Sequence, residues 1–287
     1  MHDIDALVTD QDVAFYQEHG YWIGPKVLAD DELAILRAHH QRVADGEYET
    51  GRPPHSRSIP PGEPVNTILK IDNAHWSDAH LARLALNRTI GAIAARLAGA
   101  RGMRLWHDQL LLKPPKSGSG NGAVGWHQDW YYWQCATPAE MLTAWVALVD
   151  VDEENGCMEV VPGSHKWGLL PEGDFFEQDL DTLKARIERV SGKPFETQPC
   201  VLPAGAFSIH HCLTVHGSRP NVSADRVRRS LVLHLLPEGT RYRAGTPAEA
   251  HANVRLLSGQ DGDPFAGPYF PVLYRAGDTA NSWDVPA

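Results

Sequence analysis

The spacing of hydrophobic residues predicts helices in the first part of the chain. Residues 13–19 follow an approximate helical period after Thr9, which can cap a helix N-terminus, and Gly20 is a typical helix stop. Residues 21–23 are then a candidate for a short strand. The acidic residues 30–32 favour the start of a second helix, because negative charge is favourable near a helix N-terminus.

The next stretch contains a loop, a strand and a helix. Residues 46–64 are rich in Gly, Pro and Arg, and this composition predicts a loop. Residues 65–71 (VNTILKI) favour a strand. Residues 78–98 are rich in Ala and Leu, and we expect one helix there that ends at Gly99.

From residue 101 onward the pattern changes to short hydrophobic runs, which Gly, Pro and Asn separate. Such runs at fairly regular spacing favour a β-sandwich or barrel. Six segments carry the pattern: residues 104–113, 125–133, 142–151, 157–163, 206–212 and 228–236. One helix is expected within this part, at residues 179–190. Residues 237–287 lack a strong period and are expected to form a C-terminal arm or lid.

Length and composition fit a globular protein. The chain has 287 residues, of which 43% are hydrophobic and 22% charged, close to the average for globular proteins. The simplest organisation is one domain over residues 1–287, with a helical part (1–100) and a barrel core (101–236). The net charge of −10 disfavours a nucleic-acid partner, since a phosphate-binding surface needs concentrated positive charge.

Hydropathy and cysteine usage bear on the cellular compartment of the protein. No apolar stretch approaches the ~18 residues of a membrane span, and the N-terminus lacks the basic and apolar regions of a secretory signal. The four cysteines are widely spaced and form no C-x-x-C pair, which disfavours a zinc ribbon and a disulfide framework. We therefore expect a cytoplasmic protein with free thiols and no membrane partner.

Candidate metal ligands occur in the segment Trp126–Trp130 (WHQDW). His127 and Asp129 are two residues apart, and on a strand side chains at this spacing point to the same face. With His216 as a third ligand they would form the two-histidine, one-carboxylate triad of non-haem iron oxygenases. An H-x-D triplet alone is weak, because the chain contains fifteen histidines, and ordinary hydrogen bonding is the alternative.

A candidate anion site follows in the next β-like run. Arg226, Arg228 and Arg229 precede or open the alternating segment SLVLHLL. An arginine that faces the interior of a barrel needs an anion, and a guanidinium binds a carboxylate with two parallel hydrogen bonds. A basic surface turn is the alternative. Strand alternation places Arg228 and His234 on one face and Arg229 on the other, but does not say which face points inward.

The order of several short motifs carries a family resemblance. The chain resembles the phytanoyl-CoA dioxygenase family of Fe(II)/2-oxoglutarate-dependent oxygenases, and the matching motifs cover residues 11–236. These motifs are EHGYW (18–22), LLLKPP (110–115), WHQDW (126–130), LTAWVAL (142–148), NGCMEVVPGSHKWG (155–168), HGS (216–218) and RRSLVLHL (228–235). The resemblance implies a mostly β fold with flanking helices, namely a double-stranded β-helix (a jelly-roll, cupin-like barrel).

The resemblance also implies cofactors and roles for individual residues. His127, Asp129 and His216 would hold Fe(II), and O2 would be the oxidant. Arg228 would pair with the distal carboxylate of 2-oxoglutarate, with Arg226 and Arg229 still open as alternatives. Four further positions match residues near 2-oxoglutarate in the family: Ser218, Trp145, Lys70 and Gln109. Related halogenases lack the carboxylate, so Asp129 favours hydroxylation or another oxidation over halogenation.

The aromatic residues after the ligand pair are candidates for the substrate pocket. Trp133 and Tyr131 share the strand parity of the ligands, so we expect them to face the pocket, whereas packing in the barrel is the alternative for the rest of residues 130–133. His107, His211 and the 46–64 loop are further candidates.

The predicted function is an Fe(II)/2-oxoglutarate-dependent dioxygenase. It would hydroxylate an unactivated C–H of a small or medium-sized metabolite and release succinate and CO2. Two alternatives stay open: a 2-oxoglutarate-independent, cupin-like metal enzyme, which would not need Arg228, and a catalytically silent metal-binding module. The expected partner is a small-molecule substrate, and the oligomeric state is left open.

Overall fold

The computed structural model describes residues 4–116, 122–257 and 259–277. Five α-helices of the described residues lie within the first hundred positions, and one further α-helix lies in the second half of the chain. The six α-helices are α1 (Ile4–Leu7), α2 (Asp10–His19), α3 (Asp30–Asp45), α4 (Ala79–Ala85), α5 (Arg88–Leu97) and α6 (Leu180–Ser191). Among the described residues, no helix combines the length and apolar character needed to cross a membrane.

The predicted ends of α2 are confirmed. The Thr9 side chain accepts a hydrogen bond from the Asp12 amide, and the Asp12 carboxylate accepts one from the Thr9 amide, which is a capping box. Gly20 ends the helix at φ +74°, a left-handed conformation that glycine adopts without strain.

The single helix predicted over residues 78–98 is wrong. The structure has two helices, α4 and α5, which Leu86 and Asn87 separate. The Asn87 side chain accepts a hydrogen bond from the Ile90 amide, so Asn87 caps a new helix. An internal cap of this kind ends one helix and begins another despite high helix propensity. The Ala- and Leu-rich composition of the segment therefore did not indicate the break.

The described residues form fourteen β-strands, and eleven of them lie from residue 102 onward. In chain order they are β1 (Tyr21–Ile23), β2 (Ser56–Arg57), β3 (Leu69–Asp72), β4 (Gly102–Lys113), β5 (Val124–His127), β6 (Ala136–Thr137), β7 (Leu142–Ala147), β8 (Met158–Val160), β9 (Gln198–Pro199), β10 (Phe207–His211), β11 (His216–Ser218), β12 (Arg228–Pro237), β13 (Arg241–Tyr242) and β14 (Val272–Arg275).

Two antiparallel sheets face each other. The major sheet has the strand order β1-β10-β7-β12-β4-β3-β2, with β14 also paired to β4, and the minor sheet has the order β5-β11-β8-β9. A separate two-stranded ribbon joins β13 to β6. No strand pairing joins the major to the minor sheet among the described residues, so the predicted jelly roll is confirmed as two facing sheets and not as a closed barrel.

Strand alternation divides the major sheet into an apolar outer face and a more polar inner face. On β12, Leu231, Leu233 and Leu235 pack into the same core as residues of helices α3 and α5. Residues of the opposite parity, such as Val232, pack between the two sheets. The parity set of Arg228 and His234 is therefore the inward one.

Three predicted segments differ in the structure. The strand predicted over residues 65–71 covers Leu69–Asp72, and the 46–64 loop contains the short strand β2. The β-like run 125–133 ends at His127 and continues as a 3-10 turn, Asp129–Tyr131. Hydrogen bonds from the amides of residues 131 and 132 to the carbonyls three residues earlier form this turn.

The described part of the C-terminal segment packs against the barrel. Strand β14 adds to β4, and a 3-10 turn over Ala252–Leu256 lies near the open end of the sheets. The Asn253 side chain, which is buried, donates a hydrogen bond to the Trp106 carbonyl and holds this turn in place. Residues 278–287 of the predicted arm or lid lie outside the described residues.

Candidate metal centre and its two cavities

Two strands of the minor sheet bring the candidate ligands together. His127 ends β5, His216 begins β11, and the two residues are direct partners in the antiparallel pair. Asp129 lies in the turn just after β5. Its Oδ1 is 3.6 Å from Nε2 of His127 and 3.7 Å from Nε2 of His216. All three side chains are buried.

Backbone carbonyls fix the tautomers of the two histidines. Nδ1 of His127 lies 2.7 Å from the Gly125 carbonyl, and Nδ1 of His216 lies 2.9 Å from the Thr214 carbonyl. A carbonyl only accepts, so each Nδ1 carries the hydrogen and each Nε2 keeps a lone pair. Burial, with His210 and His127 nearby, lowers the pKa of His216 well below its usual value, which keeps this imidazole neutral.

The second oxygen of Asp129 is held from the major sheet. Thr143 Oγ1 donates to Oδ2 at 2.7 Å, and His210 Nε2 lies 3.2 Å from the same oxygen. Asp129 is therefore an oriented carboxylate with Oδ1 turned toward the two Nε2 atoms.

This donor set fits Fe(II). One carboxylate oxygen and two imidazole lone pairs converge from one side, which is the facial arrangement that leaves other positions open for co-substrate and O2. The hydrogen bonds to Nδ1 of each histidine and to Oδ2 of Asp129 are the outer contacts that normally orient metal ligands. The structure brings the two candidate ligands at this two-residue spacing to one cluster with His216, although Asp129 lies in a turn and not on the strand.

Two cavities meet at the triad. The inner cavity has a volume of about 50 Å³ and lies between the two sheets. The outer cavity has a volume of about 300 Å³ and opens toward the surface. His127, Asp129, Gln109 and Phe175 line both of them, so a metal ion held by the triad would lie where the two cavities meet.

Arg228 supplies the positive charge of the inner cavity. Its side chain is 1% exposed, its Cζ lies 5.2 Å from the Trp145 ring centroid, and its Nη1 donates to the Gly156 carbonyl at 2.7 Å. Burial lowers its pKa to about 10, and it forms no ion pair with a carboxylate of the described residues. Its Nε has no hydrogen-bond partner among them. An isolated buried guanidinium of this kind is suited to an anionic ligand.

The other two arginines already form ion pairs or hydrogen bonds with neighbouring side chains. Arg226 pairs with Asp152 at 2.7 Å and with Glu154 at 2.6 Å near the surface. Arg229 is on the outer face of the sheet, where its guanidinium donates to Gln41 on helix α3. The geometry therefore singles out Arg228 among the three arginines that the sequence left open.

The remaining co-substrate candidates divide between the cavities. Ser218 and Trp145 line the inner cavity beside Arg228, and Gln109 lines both cavities. Lys70 lines only the outer cavity, where its Nζ lies 2.7 Å from both oxygens of Asp72. The structure therefore does not bring Lys70 to the inner cavity with Arg228.

Two of the four substrate candidates line the outer cavity. Trp133 and His107 are part of its wall, and Ser56 contributes from the 46–64 loop. Tyr131 is 42% exposed and lines neither cavity, because the 3-10 turn rotates the side chains away from strand parity and brings Tyr132 to the wall instead. His211 shares the outward parity of strand β10 and contacts His165, so it also lies away from the cavities.

Sequence reasoning missed a row of polar residues on the inner face of the major sheet. Strand register places His107, His234, Thr143 and His210 side by side on β4, β12, β7 and β10. All four are buried, and the last three connect to Asp129. Polar residues at inward positions of apolar strands were the available signal, but their register across four strands is not readable from the chain.

Comparison with known proteins identifies the family of the chain. A model of the phytanoyl-CoA dioxygenase (PhyH) family matches residues 16–230. The chain belongs to this family. Peroxisomal phytanoyl-CoA dioxygenase of Mus musculus is 26% identical over 230 residues, which cover 75% of this chain and 64% of that protein. The chain thus matches less than two thirds of this relative's length. The predicted resemblance is confirmed.

Two solved structures from nogalamycin biosynthesis match over more of their length. The non-haem alpha ketoglutarate dependent carbocyclase SnoK is 30% identical, with a TM-score of 0.70 and coverage of 92% of this chain and 96% of that one. The epimerase SnoN in complex with Fe³⁺, alpha ketoglutarate and nogalamycin RO is 28% identical, with a TM-score of 0.67 and coverage of 92% and 98%. These relatives support the predicted fold, enzyme class and cofactors.

Proposed function

We propose that the protein is an Fe(II)/2-oxoglutarate-dependent dioxygenase that oxidises a C–H bond of a small or medium-sized metabolite. One observation carries the proposal: an oriented His127–Asp129–His216 triad and an unpaired, buried Arg228 share the inner cavity. The triad alone would also suit a metal enzyme that needs no 2-oxoglutarate. The buried cation favours the 2-oxoglutarate-dependent enzyme, because burial of an unpaired guanidinium is costly without an anion to bind.

The residues of the inner cavity would hold the co-substrate in one orientation. Arg228 would grip the distal carboxylate of 2-oxoglutarate, and Trp145 stacks behind the guanidinium and limits its movement. The keto acid end would then point to the face of the triad that the protein leaves open. When bound, iron and 2-oxoglutarate together supply the oxidation of a C–H bond by O2, with release of succinate and CO2.

The protein would contribute orientation and exclusion of water. Gly125 and Thr214 hold the histidine tautomers, and Thr143 and His210 hold the outer oxygen of Asp129. Apolar inner-cavity residues, with Met158 and Val232 among them, separate the co-substrate from solvent. The substrate would enter from the outer cavity, and its position there selects the C–H bond that reacts.

Hydroxylation is the outcome that Asp129 favours, since the carboxylate occupies the position that related halogenases leave to chloride. A second outcome has a specific reason. The two solved relatives at 28% and 30% identity are called an epimerase and a carbocyclase. Ring closure or epimerisation is therefore the alternative outcome of C–H oxidation in this protein. Mass spectrometry of the product distinguishes them, because only hydroxylation adds one oxygen atom.

The test is anaerobic titration of the protein with Fe(II) and 2-oxoglutarate, monitored by the weak visible metal-to-ligand charge-transfer band. We expect the band in the wild type, its loss in Asp129→Ala, and a weaker affinity for 2-oxoglutarate in Arg228→Gln. Arg226→Gln is the matched control and should retain wild-type affinity, since Arg226 pairs with Asp152 and Glu154 at the surface. Iron binding without a band would favour the 2-oxoglutarate-independent enzyme, and absence of iron binding would favour the silent module.

A further inference from the structure

The outer cavity has one charged pair and one aromatic wall. Lys70 is the only lysine or arginine among the described residues that line it, and this ammonium is paired with Asp72. Apart from Asp129, the cavity therefore has no uncompensated formal charge on those residues. Tyr132, Trp133, Phe175 and Phe176 form an aromatic wall next to the triad. Such a space offers apolar contact and hydrogen bonds, but no cation for a phosphate or carboxylate.

The polar row of the major sheet extends from Asp129 toward the outer cavity. Thr143 Oγ1 has one hydrogen and donates it to the Asp129 carboxylate. Nδ1 of His234 lies 2.8 Å from the same hydroxyl oxygen, so Nδ1 must be the donor in that contact. His234 therefore carries its hydrogen on Nδ1, and its Nε2 is left as an acceptor.

The acceptor on His234 has no partner. Its Nε2 is buried and forms no hydrogen bond with any described residue, and the same is true of Nε2 of His107. The two imidazole centroids are 4.5 Å apart, and the rings are direct neighbours across β4 and β12. Leaving buried polar atoms unpaired costs about 1–3 kcal/mol each, which a ligand with a complementary group would recover.

This imidazole pair lies at the junction of the two cavities, because His107 lines the outer cavity and His234 lines the inner one. His234 and Arg228 are on the same strand, six residues apart, which corresponds to about 20 Å at ~3.3 Å per residue. Arg228 marks the co-substrate end of the inner cavity. His107 lines the outer cavity, and Trp133 packs against both imidazoles at centroid distances of 6.0 and 4.6 Å. A ligand at the imidazole pair would thus contact the aromatic wall as well.

We propose that the substrate is an uncharged molecule that combines an apolar ring with a hydroxyl or N–H group, and that His107 and His234 bind this group. Trp133 and Phe175 hold the ring beside the metal. This inference rests on the proposed oxygenase function and adds the substrate class. It excludes coenzyme A thioesters and carboxylates as preferred substrates. The one ammonium of the cavity wall, Lys70, is already paired with Asp72.

The test uses matched naphthalene probes with the anaerobic Fe(II)·2-oxoglutarate complex. 2-Naphthol has a ring and a hydroxyl donor, 2-methoxynaphthalene has no donor, and 2-naphthoate has a charge. Binding is measured by isothermal titration calorimetry and by the change of the visible band. We expect 2-naphthol to bind at least tenfold more tightly than either of the other probes and than acetyl-CoA.

Variants connect the preference to the imidazole pair. His107→Phe should remove the preference for 2-naphthol over 2-methoxynaphthalene, while His107→Gln, which keeps a hydrogen-bonding group, should retain part of it. Tyr131→Ala is the control, because this neighbouring aromatic residue is exposed and lines neither cavity.

Three results would overturn the proposal: equal affinity for the hydroxyl and methoxy probes, tighter binding of 2-naphthoate or acetyl-CoA, or no binding of 2-naphthol up to its solubility limit. Absence of the visible band before any probe is added would instead contradict the proposed function. Calorimetry on the metal-free protein would then still measure the probe preference, so the two failures are distinguishable.

Discussion

Lys113 Nζ lies 2.7 Å from Ser218 Oγ in the fully buried space behind Arg228. The ammonium also donates to the carbonyls of Ser218 and Arg219, at 3.4 and 2.5 Å. All three contacts are to acceptors, so the Ser218 hydroxyl accepts from Lys113 and its own hydrogen is free to donate into the inner cavity. Lys113 therefore orients Ser218 as a donor toward a bound anion. Burial, with Arg228 beside it, lowers the pKa of Lys113 well below its usual value, whereas the three acceptors around Nζ favour the charged form.

We predict that Lys113→Met weakens binding of 2-oxoglutarate by about tenfold, in line with the loss of one charge-assisted hydrogen bond worth about 1.5 kcal/mol. Affinity for pyruvate, which lacks the distal carboxylate, should change much less. Calorimetry with both keto acids measures the difference. Lys26→Met, at an exposed lysine paired with Asp30, is the control. Equal losses for both keto acids would show that Lys113 supports the fold of the cavity and does not position Ser218.

Thr143 is predicted to control metal affinity without contacting the metal. Thr143→Val removes the donor to Oδ2 of Asp129 and keeps the shape of the side chain. Loss of such outer contacts typically weakens metal binding by about 10–100-fold. Competition with a coloured chelator would measure the dissociation constant of Fe(II). Ser230→Ala, which removes a buried hydroxyl from the adjacent strand β12, should leave it unchanged. Wild-type affinity in Thr143→Val would contradict this role.

Gly125 is predicted to be required for the approach of the loop that carries Phe175. A Cβ at this position would lie 1.9 Å from the Asp174 carbonyl oxygen, a backbone atom. Gly125→Ala should therefore displace the loop, disturb the adjacent His127, and destabilise the protein by about 1–3 kcal/mol. Gly102→Ala is a matched control, because its nearest neighbour is the flexible end of the Glu238 side chain. Chemical denaturation and iron affinity are the measurements, and equal effects in the two variants would be the contrary result.

The sequence predicted which candidate ligands cluster better than it predicted their structural setting. His127, Asp129 and His216 follow from motif order and spacing, and these depend on the chain alone. The turn at Asp129 was missed because the segment 125–133 contains no Gly or Pro after Gly125, so its composition does not show where the strand ends. The same error misplaced Tyr131, whereas Trp133 reaches the cavity from the residues after the turn.

Contacts between residues on neighbouring strands could not be predicted from sequence patterns. Arg228 could be distinguished from Arg226 and Arg229 only when their partners were known, since strand alternation does not say which face points inward. Thr143 and His210 support Asp129 from strands that lie next to each other through register, and no local period encodes that register. The family resemblance did not assign these two supporting residues either.

His40 is predicted to make the protein sensitive to acid. This residue of helix α3 is fully buried, with Nε2 3.3 Å from the Leu111 carbonyl and Nδ1 facing Arg229. Burial, assisted by the Arg229 charge, lowers its pKa from 6.5 to about 3. The unfolded chain takes up the proton below pH 6.5 and the folded protein does not. Stability contributed by neutral His40 is therefore complete above pH 6.5 and is lost as the pH falls toward 3.

The expected size of this loss is about 2 kcal/mol between pH 7 and pH 5, from ~1.4 kcal/mol per pH unit below the unfolded pKa. Urea unfolding of wild type and His40→Gln at both pH values measures it. The variant should be less stable at pH 7 because its buried contacts change, yet its stability should fall less between the two pH values. His39→Gln, on the same helix, leaves His40 in place and should keep the wild-type difference. Identical pH dependence in wild type and His40→Gln would show that His40 is not the source, because the other buried histidines are the same in both proteins.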